Sequence, residues 1–257
     1  MNARAAGRAL IRRMLYCDAA PIGCGDFKMN ETPKLIHEIL PVGMLQCNCH
    51  IVGDSATHEA IVIDPGDDVD SILEVIARHR LKVRAILITH SHIDHIIGLK
   101  KMREATGAPV LMHQDDLALY QEMEKQAEWI HWATPELSEV DEFLTEGKSI
   151  KWGNYELRVM HTPGHTTGSV CLYLPRDENV VRSPDAPHNP GLLFAGDTLF
   201  EGSIGRTDLW GGSMREILRS IKSKLLALPD DTIVFPGHGP TTTIGVERET
   251  NPFLQRL

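Results

Sequence analysis

Long apolar runs are missing from this 257-residue chain. No stretch approaches the ~20 consecutive apolar residues that span a bilayer, so membrane-spanning readings drop out. Cysteine is scarce: five residues, an odd count, do not make a disulfide framework. Cys47 and Cys49 stand two apart in a strand-like run, on one face, and no second pair completes a structural zinc site. Free thiols in a reducing, cytoplasmic setting are the expectation. Basic charge is also short, with 26 Lys and Arg against 35 Asp and Glu, a formal charge of -9. That excludes the broad phosphate-neutralising surface of a nucleic-acid binder. Neither G-x-G-x-x-G nor G-x-x-x-x-G-K-[ST] occurs, which removes the common nucleotide cradles. No repeat or low-complexity tract is visible.

What is present is histidine, thirteen in all, several of them in polar, Gly-rich turns. Residues 1–30 carry four Arg before the first acid, Asp18, and read as a leader-like or poorly structured extension. From residue 31 to 257 short apolar runs alternate with amphipathic segments, as in one α/β domain. EAIVIDPG and VRAILITH read as buried strands leaving into polar turns. DSILEVIARHRL, HIIGLKKMREATG (stopped by Gly107) and SMREILRSIKSKLLALP read as helices. Residues 176–190 form a polar, Pro-bearing surface loop.

The sharpest signal is T-H-S-H-I-D-H, Thr89 to His95, directly after the apolar AILI. In an extended segment His90 and His92 point to one side, and Asp94 and His95 fall at the start of the next helix. Three imidazoles and a carboxylate in six residues suit zinc, iron or manganese. As core packing they would crowd polar groups without partners. Three further turns end buried strands: His165 in HTPGHTTG, Asp197 in FAGDT and His238 in FPGHG. Strand-end loops of this kind line sites on α/β scaffolds. Trp129 and Trp132 read as core or lid packing, with the rim of a hydrophobic substrate mouth as the alternative, and His50 and His161 read as neutral neighbours.

In order and spacing, Asp64 in VIDPG, the THSHIDH loop, His165, Asp197 and His238 resemble the five punctuating motifs of the metallo-β-lactamase superfamily. The match runs over roughly residues 34–240. The resemblance implies a four-layer αββα sandwich with a two-metal cleft at one edge. One ion would take His90, His92 and His165; the other would take Asp94, His95 and His238. Asp197 would bridge both, Asp64 would orient a ligand histidine, and Asp94 would add proton handling to its ligand role. Zinc is the first expectation for the two divalent ions, with iron or manganese as alternatives.

The segments GDTLFEGSIGRTDLWGG and TPGHTTGS are similar to the short, single-domain glyoxalase II-like (hydroxyacylglutathione hydrolase-like) members. They imply a metal-dependent hydrolase of small-molecule thioesters such as S-D-lactoylglutathione, acting through a hydroxide bridging the two ions. Arg206 would stand near the substrate carboxylate or glutathione. A monomer or small homo-oligomer is expected, without nucleic-acid or membrane partners. Alternative readings within the fold are a persulfide dioxygenase with one iron on His90, His165 and Asp197, or a lactonase or β-lactamase. A non-enzymatic binding protein would be expected to have lost ligands, and none is lost.

Overall fold

The structure is a computed structural model that describes residues 34–176 and 190–255. The leader-like segment, Cys17 and Cys24 lie outside the described residues, as does most of the 176–190 loop.

Two six-stranded sheets organise the chain. The first runs in the order β1 (Leu35–Val42), β2 (Cys47–Asp54), β3 (Glu59–Ile63), β4 (Lys82–Leu87), β5 (Val110–Met112) and β6 (Glu142–Phe143). The second contains β7 (Ser149–Trp152), β8 (Tyr155–His161), β9 (Val170–Leu174) and β10 (Leu192–Gly196). After a small hairpin of β11 (Leu199–Phe200) and β12 (Ser203–Ile204) it is completed by β13 (Ile233–Pro236) and β14 (Thr242–Thr243). Its spatial order is β14-β13-β10-β9-β8-β7.

Strand alternation explains the layering. In β3, Ala60 and Val62 face helices, while Ile61 and Ile63 face the other sheet. Between the sheets Val52, Leu87, Trp152, Leu172 and Phe194 build one apolar core. A second core sits under α1 (Val69–Arg78), α2 (Ile93–Ile96) and α3 (Leu99–Thr106), through Ile72, Val75 and Met102. The helices α4 (Leu117–Gln121) and α5 (Met123–Ile130) add Tyr120, Met123 and Ala127 to it. A third joins the second sheet to α6 (Met214–Ser220) and α7 (Ile244–Thr250) through Ile217, Ile221, Leu225 and Ile244. Helix, sheet, sheet, helix is the four-layer arrangement expected.

Two helices differ from the sequence reading. HIIGLKKMREATG breaks into α2 and α3, the second ending on left-handed Gly107 (φ 65°) as anticipated. SMREILRSIKSKLLALP starts as α6, with the Ser213 hydroxyl accepting from Glu216 N, then widens into a π-turn over Ile221–Leu225. Ile217, Ile221 and Leu225 recur every four residues, and wider winding keeps that row on the buried side.

β3 and β4 run parallel, as do β10 and β13, and β8 runs in the same sense as β10. The C-terminal ends of these strands therefore emerge at common edges, and each carries one of the polar turns.

Candidate metal centre

The structure brings all seven predicted ligand-type residues together. His90, His92 and His165 form one trio, and Asp94, His95 and His238 another. Asp197 lies between them: its Oδ1 is 3.5 Å from His95 Nε2, and its Oδ2 is 3.5 Å from His165 Nε2. His90, His92, His95 and His165 are buried, and His92, Asp94, His165, Asp197 and His238 line a cavity.

The second nitrogen of four rings is spoken for. His165 Nδ1 donates to the Arg206 carbonyl (2.8 Å), and His238 Nδ1 to the Leu45 carbonyl (3.0 Å). His95 Nδ1 donates to Asp64 Oδ2 (3.0 Å). Thr89 Oγ1 donates to Asp64 Oδ2 (2.6 Å), so it accepts from His90 Nδ1 (3.1 Å). Backing acceptors of this type fix the tautomer of metal-binding histidines. Each Nε2 is thereby left with a lone pair facing inward.

Those lone pairs meet one another. His90 Nε2 and His165 Nε2 are 3.2 Å apart, and His95 Nε2 and His238 Nε2 are 3.3 Å apart. Asp94 Oδ2 is 3.1 Å from the same His238 nitrogen, and His92 Nε2 and Asp197 Oδ1 are buried without a hydrogen-bond partner. Acceptor against acceptor repels unless a cation intervenes. Metal–nitrogen bonds of 2.0–2.1 Å at tetrahedral angles space two nitrogens by about 3.3 Å. The donor set therefore fits divalent metal ions. Burial, then the neighbouring imidazoles, hold His90 well below the usual histidine range; burial, then His165, take His92 down to about 3. Neutral imidazole is the form that ligates.

Asp64 is the hinge of the first sheet's contribution. It is buried, adopts a left-handed φ of 49°, and also accepts from Thr89 N at 2.7 Å. Gly237 permits a close approach on the other side, since a Cβ there would collide with Asp197 Oδ1.

Several contributors were silent in the sequence. Asp116, fully buried, accepts from Ser91 N (2.8 Å), Thr166 Oγ1 (2.9 Å) and Gly168 N (2.6 Å). It joins the loop of His90 and His92 to the loop of His165, although burial pushes its carboxyl up. Gln126 braces the same motif, accepting from Ile93 N (3.1 Å) and donating to the Ser91 carbonyl (3.0 Å). Cys47 Sγ lies 3.4 Å from His95 Nδ1, and Cys47, Cys49 and Cys171 are buried free thiols.

A cavity of about 370 Å³ opens over the ligands, walled by Leu45, Ile93, Trp129, Arg206 and Trp210. Trp129 is thus at the mouth rather than in the core, edge-on to Trp210 at 5.9 Å, while Trp132 packs on the helix-side core. Arg206 lies over Trp129 at 5.9 Å, but its Nε and Nη2 donate to the two Asp208 oxygens at 2.8 Å each. Its backbone, not its guanidinium, touches a site histidine. His50 bonds His37 between the sheets, and His161 stacks on His113 at 3.9 Å, so both stand outside the seven.

Comparison with known proteins gives the same grouping. The metallo-β-lactamase superfamily model matches residues 42–182 and 187–238. The hydroxyacylglutathione hydrolase GloC of Haemophilus influenzae is 33% identical over 224 residues, covering 84% of this chain and 97% of its own. The crystal structure of the B3 metallo-β-lactamase BLEG-1 is 36% identical with a TM-score of 0.72, covering 86% of this chain and 100% of that one. TTHA1623, solved in a di-iron-bound form, is 36% identical with a TM-score of 0.69, covering 84% and 100%. With its motifs, its layers and its ligand cluster in agreement, the chain belongs to the metallo-β-lactamase superfamily.

Proposed function

We propose that this protein is a metal-dependent hydrolase of small-molecule thioesters. The observation that carries the reading is four inward imidazole lone pairs, arranged around Asp197 at the floor of an apolar-walled cavity. The 33% identity to a hydroxyacylglutathione hydrolase supports the thioester class. His90, His92 and His165 would hold one ion, Asp94, His95 and His238 the other, and Asp197 both. Zinc is the first expectation, and the di-iron form of a relative at 36% identity keeps iron beside it. Bound there, two divalent ions supply Lewis acidity and lower the pKa of water from 15.7 toward about 7.

The chain's own groups do the rest. Asp64, Thr89 and the carbonyls of Arg206 and Leu45 face the Nδ1 of each ring and aim each Nε2 inward. Leu45, Ile93, Trp129 and Trp210 give the substrate an apolar wall beside the ligands. Asp94 lines the cavity beside His238 and takes the proton released as water adds to the acyl carbon. The new C–O bond replaces the C–S bond, whose electron pair leaves on sulfur. A thiol of pKa near 8.5 departs as thiolate without a protein acid, then takes up that proton. The products are a carboxylic acid and a thiol. The three buried free thiols support a reducing compartment such as the cytoplasm.

The test is hydrolysis of S-D-lactoylglutathione by zinc-, iron- and manganese-loaded protein, beside a lactone, a β-lactam and oxygen uptake with glutathione persulfide. Thioester turnover that disappears on chelation and returns with metal is expected. Oxygen uptake with one iron per chain, and no thioester cleavage, would overturn the proposal.

A further inference from the structure

Beside the metal centre lies a second cavity of about 350 Å³. Gln126 and Trp210 wall both cavities, so the half-exposed Trp210 indole forms a sill between them. A substrate whose acyl carbon sits over the ligands has a ready path across this sill for its other arm. The charged residues lining the second cavity are Asp115, Glu122 and Lys125, two carboxylates to one ammonium.

The cations at this end each have a carboxylate partner. Lys125 is ion-paired with Glu122, and Arg206 donates through Nε and Nη2 to Asp208. His113 Nδ1 stands 3.8 Å from the Asp115 carboxylate. Burial, then the stacked His161, lower the His113 pKa and keep that ring neutral. Glu124 and Glu128 add further carboxylates to the exposed face of α5. Glutathione brings two carboxylates against one ammonium, a net negative arm, and no cation without a carboxylate partner lies among the cavity-lining residues to receive it.

We infer that this second cavity holds the thiol arm of the substrate, and that its excess of carboxylate selects uncharged or cationic arms over the dicarboxylate arm of glutathione. The inference rests on the thioester reading and names the thiol class within it. Like charges raise the energy of the bound arm, opposite charges lower it, and the exposed setting makes both effects sensitive to salt. Trp210 favours a cationic arm further, through the face of its indole.

Three thioesters sharing one acyl group test this: S-acetylglutathione, S-acetyl-N-acetylcysteamine and acetylthiocholine. In the metal-loaded wild type, kcat/KM should rise in that order, by about tenfold from first to last at low salt, chiefly through KM. The double variant D115N/E122Q should compress the range to about threefold or less by improving S-acetylglutathione, and 0.5 M salt should compress the wild-type range likewise. Glutathione as the best arm, or an unchanged ranking in the variant with the other two esters still cleaved, overturns the inference alone. No cleavage of any of the three overturns the thioester reading and this inference together.

Discussion

Two groups of histidines in this molecule answer different questions. His37 and His50, between the sheets, share one hydrogen bond of 3.1 Å. They are packed edge-on against Phe235 (4.5 Å from His37) and Phe194 (5.0 Å from His50). One nitrogen of each ring, His37 Nε2 and His50 Nδ1, is paired with the other, and the aromatic rings pack around them. At the sheet edge, His90, His95, His165 and His238 have an acceptor behind every ring and acceptors in front as well. The first arrangement is complete as it stands; the second is complete only around cations. Histidine count and burial do not separate the two. The direction of the lone pairs does.

The sharpest way to break the comparison is to remove one lone pair from each group. His165→Ala should lower thioester hydrolysis by on the order of 10³-fold and reduce bound metal, read by steady-state kinetics and elemental analysis. His37→Leu/His50→Leu should leave metal content unchanged, since the pair touches no ligand. Next in size is Asp116→Asn, which turns an amide N–H toward the donors of Ser91 or Gly168. It should weaken metal binding by about 10- to 100-fold, as loss of an orienting partner commonly does, with little change in far-UV circular dichroism. A chelator titration measures that shift, and unchanged affinity would show the Asp116 clamp to be packing only.

The interior pair gives a pH signature of its own. Burial takes His37 down to about 4 and His50 well below the ordinary value, so both are neutral when folded. The unfolded chain binds their protons below about 6.5, so their contribution is present above that pH and lost as pH falls toward 4. For His37 alone the loss amounts to about 3 kcal/mol. Urea denaturation of chelated protein from pH 7 to 4 should show it, and His37→Leu/His50→Leu should flatten the slope relative to wild type.

The smallest expected effect is at Asp54, far from either group. It accepts from Ala56 N, Thr57 Oγ1 and both nitrogens of Asn154 at 2.7–3.0 Å, tying β2 to the β7–β8 turn. Burial works against its charge, yet these bonds win and hold the carboxyl below the usual range. Asp54→Asn should cost about 1–2 kcal/mol at neutral pH, with the difference shrinking as pH drops below about 4. Metal content and turnover should not move.

The sheet-edge site was legible in the sequence for a physical reason. Seven ligand-type side chains follow directly on buried apolar strands, where unpartnered polar groups are costly, so their presence announces a partner. The layers were legible through strand alternation, as in Ala60, Ile61, Val62 and Ile63. Asp116 was not: in HQDD it has the same local composition as Asp115, and only the fold turns one carboxylate into the core and leaves the other exposed. The sequence leaves Trp129 open between core, lid and mouth because its partner, Trp210, is 81 positions away in the chain and meets it only at the cavity mouth. Arg206 lines the cavity, as its guanidinium suggests, and its carbonyl also accepts from His165, a role the sequence does not show. Backbone roles leave no trace in residue type.

The claim on which the rest stands is that the facing lone pairs are there to hold cations. It is tested most directly by counting metal per chain, by elemental analysis after reconstitution and desalting, in wild type and His165→Ala. The account predicts about two ions in the wild type and a loss of about one in the variant. A wild type that retains none, or a variant that retains as many as the wild type, would contradict it.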